Sequence, residues 1–306
     1  MAVTTLPEPT ENSVTETGLT DGRRIGWVAR RQTTRRPSRR RGAAGAVIAI
    51  ALVLGIWTIA SASHWWSDIL LPSPAKVWHA FIQSVTIHDG HKGLSDAYLW
   101  QHLWASLWRI LNGLFWGIVV GIPVGVGLGL WRPFELVAEP LVNFLRSLPP
   151  LGYFSLLIIW FGIGDTSKIW LLFIAAFPPI ALAVAAGVST VRLERLNAGL
   201  VLGATRWQLL RHTVLPSALP DFFTGTRVAV GFAWTTIVAA ETSNGLPGIG
   251  GLAWATKKEL RTDVAILCVI VIGVTAVLLD SVLRLVERRL VPWKGDRKST
   301  RLNSSH

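Results

Sequence analysis

Long blocks of apolar residues, separated by short polar stretches, dominate the chain. Six of these blocks approach the length of about 20 residues that an α-helix needs to cross the hydrocarbon core of a bilayer. The pattern therefore predicts an all-α, polytopic membrane protein with six transmembrane helices. The blocks occupy residues 43–60, 110–130, 141–163, 169–188, 222–240 and 264–286.

The second block carries a regular row of small residues. Its glycines recur at every fourth position, so they form one ridge on a helix and allow another backbone to approach closely. We therefore expect this helix to pack tightly against a second one. The glycines are Gly113, Gly117, Gly121, Gly125 and Gly129.

The third block is interrupted by two prolines. Its apolar part after Pro150 is too short to span a bilayer, so the helix is expected to begin near Leu141 and to break at Pro149-Pro150. Broken membrane helices occur where protein or a cavity covers the backbone. Pro149 and Pro150 are therefore candidates for a translocation path, with a simple kink in a packed helix as the alternative.

Most of the 30 Lys and Arg residues fall on one side of this arrangement. Five arginines between residues 35 and 41 adjoin the first block, and further basic residues lie between the fourth and fifth blocks and after the sixth. Cytoplasmic segments carry the excess of basic residues, so both termini are expected in the cytoplasm and the chain in the bacterial plasma (inner) membrane. The net charge of +12 thus indicates a bilayer partner and not nucleic acid.

The same patterns divide the chain into four regions. We expect a disordered basic tail at 1–42, an anchor helix and an outward loop with a short helix near 74–85 within 43–103, a transmembrane domain at 104–290 with a cytoplasmic loop at 189–224, and a non-native tail at 297–306. A signal peptide cleaved near Ala60-Ser61-Ala62 is the alternative to the anchor, but its apolar part and leader would be too long.

Motifs of catalysis and metal binding are missing from the sequence. There is no GxxxxGK[ST] phosphate loop, no HExxH and no CxxC. The single cysteine, Cys268, lies in an apolar block and allows no disulfide framework. The seven histidines are irregularly spaced. We therefore expect no catalytic residue, no metal site and no cofactor bound by this chain.

The stretch between the fourth and fifth blocks is too polar to cross a membrane. Its pattern predicts a helix, a turn at Gly203 and a second helix stopped by proline. A compact helical unit of this kind between two membrane helices is typical of a docking element. Its marker residues are Ala198, Gly203, Ala204, Arg206, Leu215 and Pro216.

This spacing resembles the EAA loop of the permease subunits of ABC importers, with Asn197, Gly199 and Thr213 where that loop usually has Glu, Ala and Ile. Further stretches, among them QHLWASLWRI, WFGIGDTSK, VAAE and RRLVPWKG, are similar to the taurine, aliphatic sulfonate and nitrate group of these permeases. The similarity extends over roughly residues 68–295.

The resemblance implies a type I ABC importer permease (MetI-like) fold and alternating access. It implies a cytoplasmic ABC ATPase dimer that binds ATP and Mg, an extracytoplasmic substrate-binding protein and a second permease copy in a homodimer. The EAA-like loop would couple the permease to the ATPase. The expected substrate is taurine or a related sulfonate, with nitrate or another small compound of the group as the alternative.

Four more residues join Pro149 and Pro150 as candidates for the translocation path. They are Trp160, Phe161, Thr235 and Glu241. For Trp160 the alternative is an interface anchor, and for Thr235 a hydrogen bond to its own helix. Since a carboxylate at the end of a span is costly unless it is hydrated or paired, and since it repels anions, Glu241 is expected to act as a gate or to contact the binding protein.

Three local features lead to further expectations. Arg227 should extend its charge to the membrane surface, and Asp280 and Arg284 should form an i,i+4 ion pair. The GLPGIGG sequence at 245–251 should be an irregular outward loop.

Two other classes of protein are alternatives to an importer subunit. A stand-alone secondary carrier would show an internal repeat and charges for ion coupling. A membrane enzyme would need a catalytic constellation. Neither pattern is evident in the sequence.

Overall fold

The computed structural model describes residues 39–63, 65–88, 91–244 and 247–294. Residues 1–38 of the predicted basic tail and the whole of the predicted non-native tail, 297–306, lie outside these ranges. The chain divides into two units, Met1–Gly55 and Ile56–His306, and the second contains the helical bundle.

Helices form nearly all of the regular structure in the described residues. A two-residue hairpin pairs β1 (Ile87–His88) with β2 (His91–Lys92). A π-helical turn, Leu210–Val214, joins α8 to α9, and a 3-10 turn, Pro292–Lys294, follows α11. The helices are α1 (Arg39–Ala62), α2 (Pro74–Val85), α3 (Leu99–Leu130), α4 (Arg132–Ser147), α5 (Pro150–Phe161), α6 (Asp165–Ser189), α7 (Leu193–Val201), α8 (Arg206–Leu209), α9 (Leu215–Asn244), α10 (Ile249–Lys258) and α11 (Thr262–Leu290).

Four helices in the described part of the chain are long and apolar enough to cross a bilayer. They are α3, α6, the continuous helix Arg206–Ser243 and α11. α4 and α5 together add a fifth crossing, bent by 97°, while the apolar part of α1, Val47–Ala62, is shorter. The all-α, polytopic prediction is confirmed, whereas four or five spans stand where six were predicted.

The predicted break at Pro149-Pro150 is confirmed. Each of the two residues that precede a proline is pushed out of the helical region by that ring. Leu148 has ψ 130° and Pro149 has ψ 124°, so α4 ends before them and α5 begins at Pro150.

The glycine ridge of α3 packs against α6, as its spacing predicted. A Cβ on Gly113 would overlap the side chain of Leu172, and one on Gly117 would lie 3.2 Å from the Cβ of Ala176. The other three glycines of the ridge face α6 residues in the same way, namely Ile180, Val184 and Val188. The backbones of α3 and α6 therefore approach closely along the length of the ridge.

α6 lies between α3 and α9 and forms the centre of the bundle. It packs more extensively against each of these helices than they pack against each other. Leu172 and Ile180 of α6 are fully buried, as are Ile110 of α3 and Ala233 and Ile237 of α9. These apolar side chains are buried from lipid and water only when all three helices pack together.

The prediction that proline stops the helix at Leu215-Pro216 is wrong. The helix passes from α8 through the π-helical turn into α9 and contains Pro216 and Pro220. A proline ring clashes with the carbonyl four residues earlier in a regular α-helix. In the π-helical turn the Leu215 N–H donates to the Leu210 carbonyl, and this wider turn accommodates the ring.

The prediction that GLPGIGG is an irregular loop is wrong in its second half. α10 begins at Ile249 after Gly248 and includes Gly250. A Cβ on Gly250 would clash with the backbone of Val238, so these glycines permit α10 to lie directly on α9. Tertiary packing here outweighs the low helix propensity of glycine.

Two polar expectations had different outcomes. Asp280 and Arg284 form the predicted ion pair, with Nη2 2.7 Å from Oδ2. Arg227 pairs with Glu287 and lies 3.6 Å from Asp280, while its side chain is 26% exposed. The acidic residues of α11 thus bind the arginine of α9, and its extension to the membrane surface stays a prediction. The short helix predicted near 74–85 is present as α2, capped by Ser73.

Candidate functional site

The EAA-like loop forms a compact pair of short helices. α7 ends in a turn in which the Gly203 N–H donates to the Leu200 carbonyl and the Ala204 N–H to the Gly199 carbonyl, both at 3.0 Å. Gly203 has φ +82°, a left-handed conformation that suits glycine. α8 then begins with Thr205 as its N-cap. The predicted turn at Gly203 is confirmed.

Large apolar side chains on this helix pair are exposed. Neither α7 nor α8 contains a buried residue. The side chains of Val201 and Leu202 are both 87% exposed and that of Trp207 is 66% exposed. We name the surface that Val201, Leu202 and Trp207 form the knob. Exposed apolar groups of this kind are typical of surfaces that contact another protein or a membrane.

The structure brings together four of the six marker residues of the loop. Ala198, Gly203, Ala204 and Arg206 all lie on α7, the turn or α8. Leu215 and Pro216 lie beyond the π-helical turn, at the start of α9. They therefore connect the knob to a membrane helix and are not part of it.

The six candidates for the translocation path do not form one site. Pro150 lines a cavity of about 40 Å³ with Tyr153 and Phe232, next to the break at Pro149. Thr235 is exposed and donates to the Gly231 carbonyl at 2.7 Å, the hydrogen bond given as its alternative.

The two aromatic candidates lie at the end of α5. Trp160 is 64% exposed, and Phe161 stacks on Trp170 with the ring centroids 5.3 Å apart. Neither of them reaches Glu241, which is fully buried.

Glu241 belongs to a buried cluster of charges at the opposite end of the bundle from Gly203. Arg109 Nη1 lies 2.6 Å from Glu241 Oε1, and Arg109 Nε lies 2.7 Å from Asp165 Oδ1. The Arg109 side chain is only 2% exposed, whereas Asp165 is half exposed. Arg109 thereby joins α3 to the start of α6 and to the end of α9.

Neutral donors complete the surroundings of the Glu241 carboxylate. Ser106 Oγ lies 2.8 Å and 2.9 Å from its two oxygens, and the Gly250 N–H donates to Oε2 at 2.9 Å. The Ile249 N–H donates to Ser106 Oγ, and the Gly248 N–H to His102 Nδ1. α10 is thus held against the carboxylate by its own N-terminal backbone. Because Glu241 is enclosed in this way, it presents no surface to a binding protein in this conformation.

Lys168 is the fourth charged residue of the cluster. It follows Asp165 by one turn of α6, is fully buried, and comes within electrostatic range of Arg109, Glu241 and Asp165. Its Nζ has no hydrogen-bond partner among the described residues. We name Arg109, Asp165, Lys168 and Glu241 the charge cluster; formally it contains two cations and two anions.

Sequence reasoning identified Glu241 but missed its partners. Arg109 lies in QHLWASLWRI, and Asp165 and Lys168 lie in WFGIGDTSK, two stretches that carried the family resemblance. Charge balance is the sequence signal that could have identified these partners. Two basic and two acidic residues lie at the ends of three apolar blocks, where each charge needs a partner.

Comparison with known proteins defines the class to which this fold belongs. Residues 117–292 match the family described as binding-protein-dependent transport system inner membrane component. The chain therefore belongs to that family, the permease subunits of ABC importers. It is a multi-pass membrane transporter subunit and not an enzyme, and ATP is hydrolysed by a separate ATPase.

Individual relatives cover most of the chain. It is 39% identical to the taurine transport system permease protein TauC of Escherichia coli (strain K12) over 247 residues, 81% of this chain and 88% of the relative. It is 33% identical to the putative aliphatic sulfonates transport permease protein SsuC of the same organism over 79% of this chain and 88% of the relative. The bicarbonate transport system permease protein CmpB of Synechococcus elongatus is 35% identical over 54% of this chain and 57% of that protein.

A solved structure shares the fold. The inward-facing MetNI methionine ABC transporter superposes with a TM-score of 0.51 and 24% identity, covering 61% of this chain and 95% of that one. The predicted MetI-like permease fold is confirmed.

Proposed function

We propose that this chain translocates taurine or a related sulfonate as the membrane subunit of an ABC importer. The class of the protein follows from its family; the substrate is our inference. The observation that carries it is the 39% identity to a taurine permease over 88% of that protein, supported by the sulfonate permease. The bicarbonate permease matches over a smaller share of its length.

The knob is the surface on which the cytoplasmic ATPase docks. Its apolar side chains are exposed, and the Gly203 turn sets the angle between α7 and α8. The adjoining π-helical turn continues into a membrane helix, so a displacement of the knob reaches the bundle directly. ATP and Mg belong to the ATPase dimer, and this chain binds no cofactor of its own.

The assembly contains two copies of this chain, a homodimer, on two ATPase subunits. With α1 as a sixth crossing, the Gly203 end of the bundle and both termini face the cytoplasm, since basic residues concentrate there. The charge cluster lies at the outward end, where a substrate-binding protein delivers its ligand. Exposed apolar side chains on α11, among them Val269, Val274 and Val277, face lipid or the second copy.

Uptake of labelled taurine by cells with and without the gene tests this function. ATP depletion and an excess of alkanesulfonate, nitrate or bicarbonate are applied in parallel. We expect uptake that needs both the gene and ATP and that alkanesulfonates alone suppress.

Two other results would contradict the proposal in different ways. Suppression by nitrate or bicarbonate would contradict the proposed substrate but agree with the importer class. Gene-dependent uptake that persists without ATP would favour a stand-alone secondary carrier.

A further inference from the structure

The charge cluster fastens three helices at the outward end of the bundle. Arg109 of α3 binds Asp165 of α6 and Glu241 of α9 at the same time. Separating a buried ion pair leaves a charge without compensation, so relative movement of α3 and α9 is disfavoured here. The movement becomes accessible only if another cation pairs with Glu241 when Glu241 leaves Arg109.

Lys168 is in a position to become the new partner of the Glu241 carboxylate. It is fully buried, and its Nζ has no hydrogen-bond partner in the described part of the chain. A buried ammonium group without a partner is unfavourable by itself. The carboxylates of Glu241 and Asp165 offset part of this cost, but neither of them accepts a hydrogen bond from Nζ. The missing hydrogen bond points to a partner that Lys168 gains in a second arrangement.

The position of α6 determines which partner Lys168 gains. Because α3 and α9 each pack against α6 more than against each other, they can shift relative to one another while both stay on α6. Glu241 then leaves Arg109 and remains beside α6. Lys168, one turn after Asp165 on that helix and already within electrostatic range of Glu241, is the cation it would meet.

A single helix connects this exchange to the knob. Arg206–Ser243 runs unbroken for 38 residues, from the exposed loop to the turn that contains Glu241. At about 1.5 Å per residue it is roughly 57 Å long. A displacement at α8 therefore reaches Glu241 through one continuous helix.

We propose that Lys168 is a positioning residue of the transport cycle, which pairs with Glu241 when movement of α9 separates Glu241 from Arg109. The outward end is closed while Glu241 is paired with Arg109. It opens when Glu241 is paired with Lys168. This inference rests on the importer function proposed for the chain.

Lys168→Met tests the proposal without disturbing the ion pairs of the structure. The complex with its ATPase is reconstituted in proteoliposomes with taurine-loaded binding protein. Because the open arrangement loses its cation, taurine uptake and ATP turnover should fall together by about tenfold, within the usual range of coupling between sites. Thermal stability should stay equal or rise, since the variant removes a buried ammonium group that forms no hydrogen bond.

Two further variants control this result. Lys168→Arg keeps the charge and should restore most of the uptake. Lys257→Met removes an exposed lysine of α10 and should leave uptake unchanged. If Lys168 has no role in the cycle, Lys168→Met will transport as the wild type does, and that result would overturn the proposal. A lower thermal stability that accounts for the loss of uptake would assign Lys168 a structural role instead and would also overturn it.

Glu241→Gln tests the closed arrangement. It weakens the hold of Arg109, so ATP turnover in the absence of binding protein should rise several-fold. Unchanged or lower basal turnover in correctly folded Glu241→Gln would count against the exchange of partners. If this variant does not fold, Lys168→Met decides the question.

The same measurements separate this inference from the proposed substrate. A wild-type complex that hydrolyses ATP but does not take up taurine would refute the substrate. The comparison of Lys168→Met with the wild type then relies on ATP turnover, in which equal rates would refute the partner exchange.

Discussion

Glu241 is a carboxylate enclosed entirely by donors. One guanidinium, one hydroxyl and one backbone N–H contact its two oxygens. At the scale of single residues, such a charge is tolerated because each of these groups is present. The arginine contributes most, since it supplies the opposite charge as well as a hydrogen bond.

Arg109→Met removes that opposite charge while keeping an apolar side chain. The free energy of unfolding should fall by about 3–5 kcal/mol, the usual effect of removing one partner from a buried pair. Cys268 is buried and is the only cysteine, so its reaction with a thiol-reactive dye during heating reports unfolding of the purified protein.

Arg132→Met is the matched control for this measurement. Arg132 pairs with Glu135 on the surface of α4, where the arginine is 73% exposed. Exposed ion pairs contribute little, so the melting curve should coincide with that of the wild type. An equal melting temperature for Arg109→Met would show that the buried pair does not stabilise the fold.

Gly203→Val tests the turn of the knob. A Cβ at this position meets no other atom, so the effect comes from the backbone at φ +82° alone. A β-branched residue is strained there by about 1–3 kcal/mol and should change the angle between α7 and α8. We expect normal membrane insertion and loss of transport-coupled ATP hydrolysis in membrane vesicles.

Gly203→Asn separates strain from loss of glycine itself. Asparagine adopts the left-handed conformation more readily than other residues with a Cβ. This variant should therefore keep most of the coupled ATP hydrolysis. Equal activity of the Val and Asn variants would argue against a required turn geometry.

At the scale of elements, the contact between α3 and α6 depends on residues without side chains. A single methyl group at Gly113 would occupy the space of Leu172. The close contact extends over five glycines, so the two helices cannot separate locally without losing packing along the whole ridge.

Gly113→Ala should destabilise the bundle by about 1–3 kcal/mol because it overpacks this contact. Gly273→Ala is the control, since a Cβ on that residue of α11 meets nothing within 4 Å. Thermal unfolding followed by the Cys268 thiol should show a lower midpoint for the first variant only. A lowered midpoint for both would assign the effect to glycine replacement in general.

The elements that the sequence predicted correctly depend on local information. The glycine spacing, the break at Pro149-Pro150 and the Asp280–Arg284 pair each involve neighbours along the chain or a regular period. The errors arose where distant residues decide the outcome. Helix α10 forms because Gly250 packs on Val238, and Pro216 fits because the turn before it widens.

The charge cluster illustrates the same limit for the candidate site. Arg109 and Glu241 are 132 positions apart, and no periodicity relates them. The loop around Gly203 was predictable because all of its marker residues lie within about 20 positions. Its continuation into α9 was not, since the sequence rule for proline assumes a regular α-helix.

At the scale of the whole molecule, the two groups of candidate functional residues lie at opposite ends of the bundle. The knob is exposed at one end, and the charge cluster, buried except for Asp165, lies at the other. Their placement agrees with a cytoplasmic motor that acts on an outward closure, provided that the membrane orientation is the one proposed.

Cysteine labelling tests that orientation. In a Cys268→Ala background, Leu202→Cys and Lys257→Cys introduce one exposed thiol at either end. An impermeant maleimide should label Lys257→Cys in intact cells and Leu202→Cys only after permeabilisation. The reverse pattern would invert the topology and remove the knob from reach of a cytoplasmic ATPase.

Because Arg206–Ser243 is one continuous helix, the direction in which Glu241 faces depends on the number of residues that precede it in the helix. Insertion of one residue between Pro220 and Glu241 would rotate the carboxylate by about 100° around the helix axis and advance it by about 1.5 Å. Glu241 would then face away from Arg109. Such an insertion would therefore break the Arg109–Glu241 pair without changing any side chain of the charge cluster.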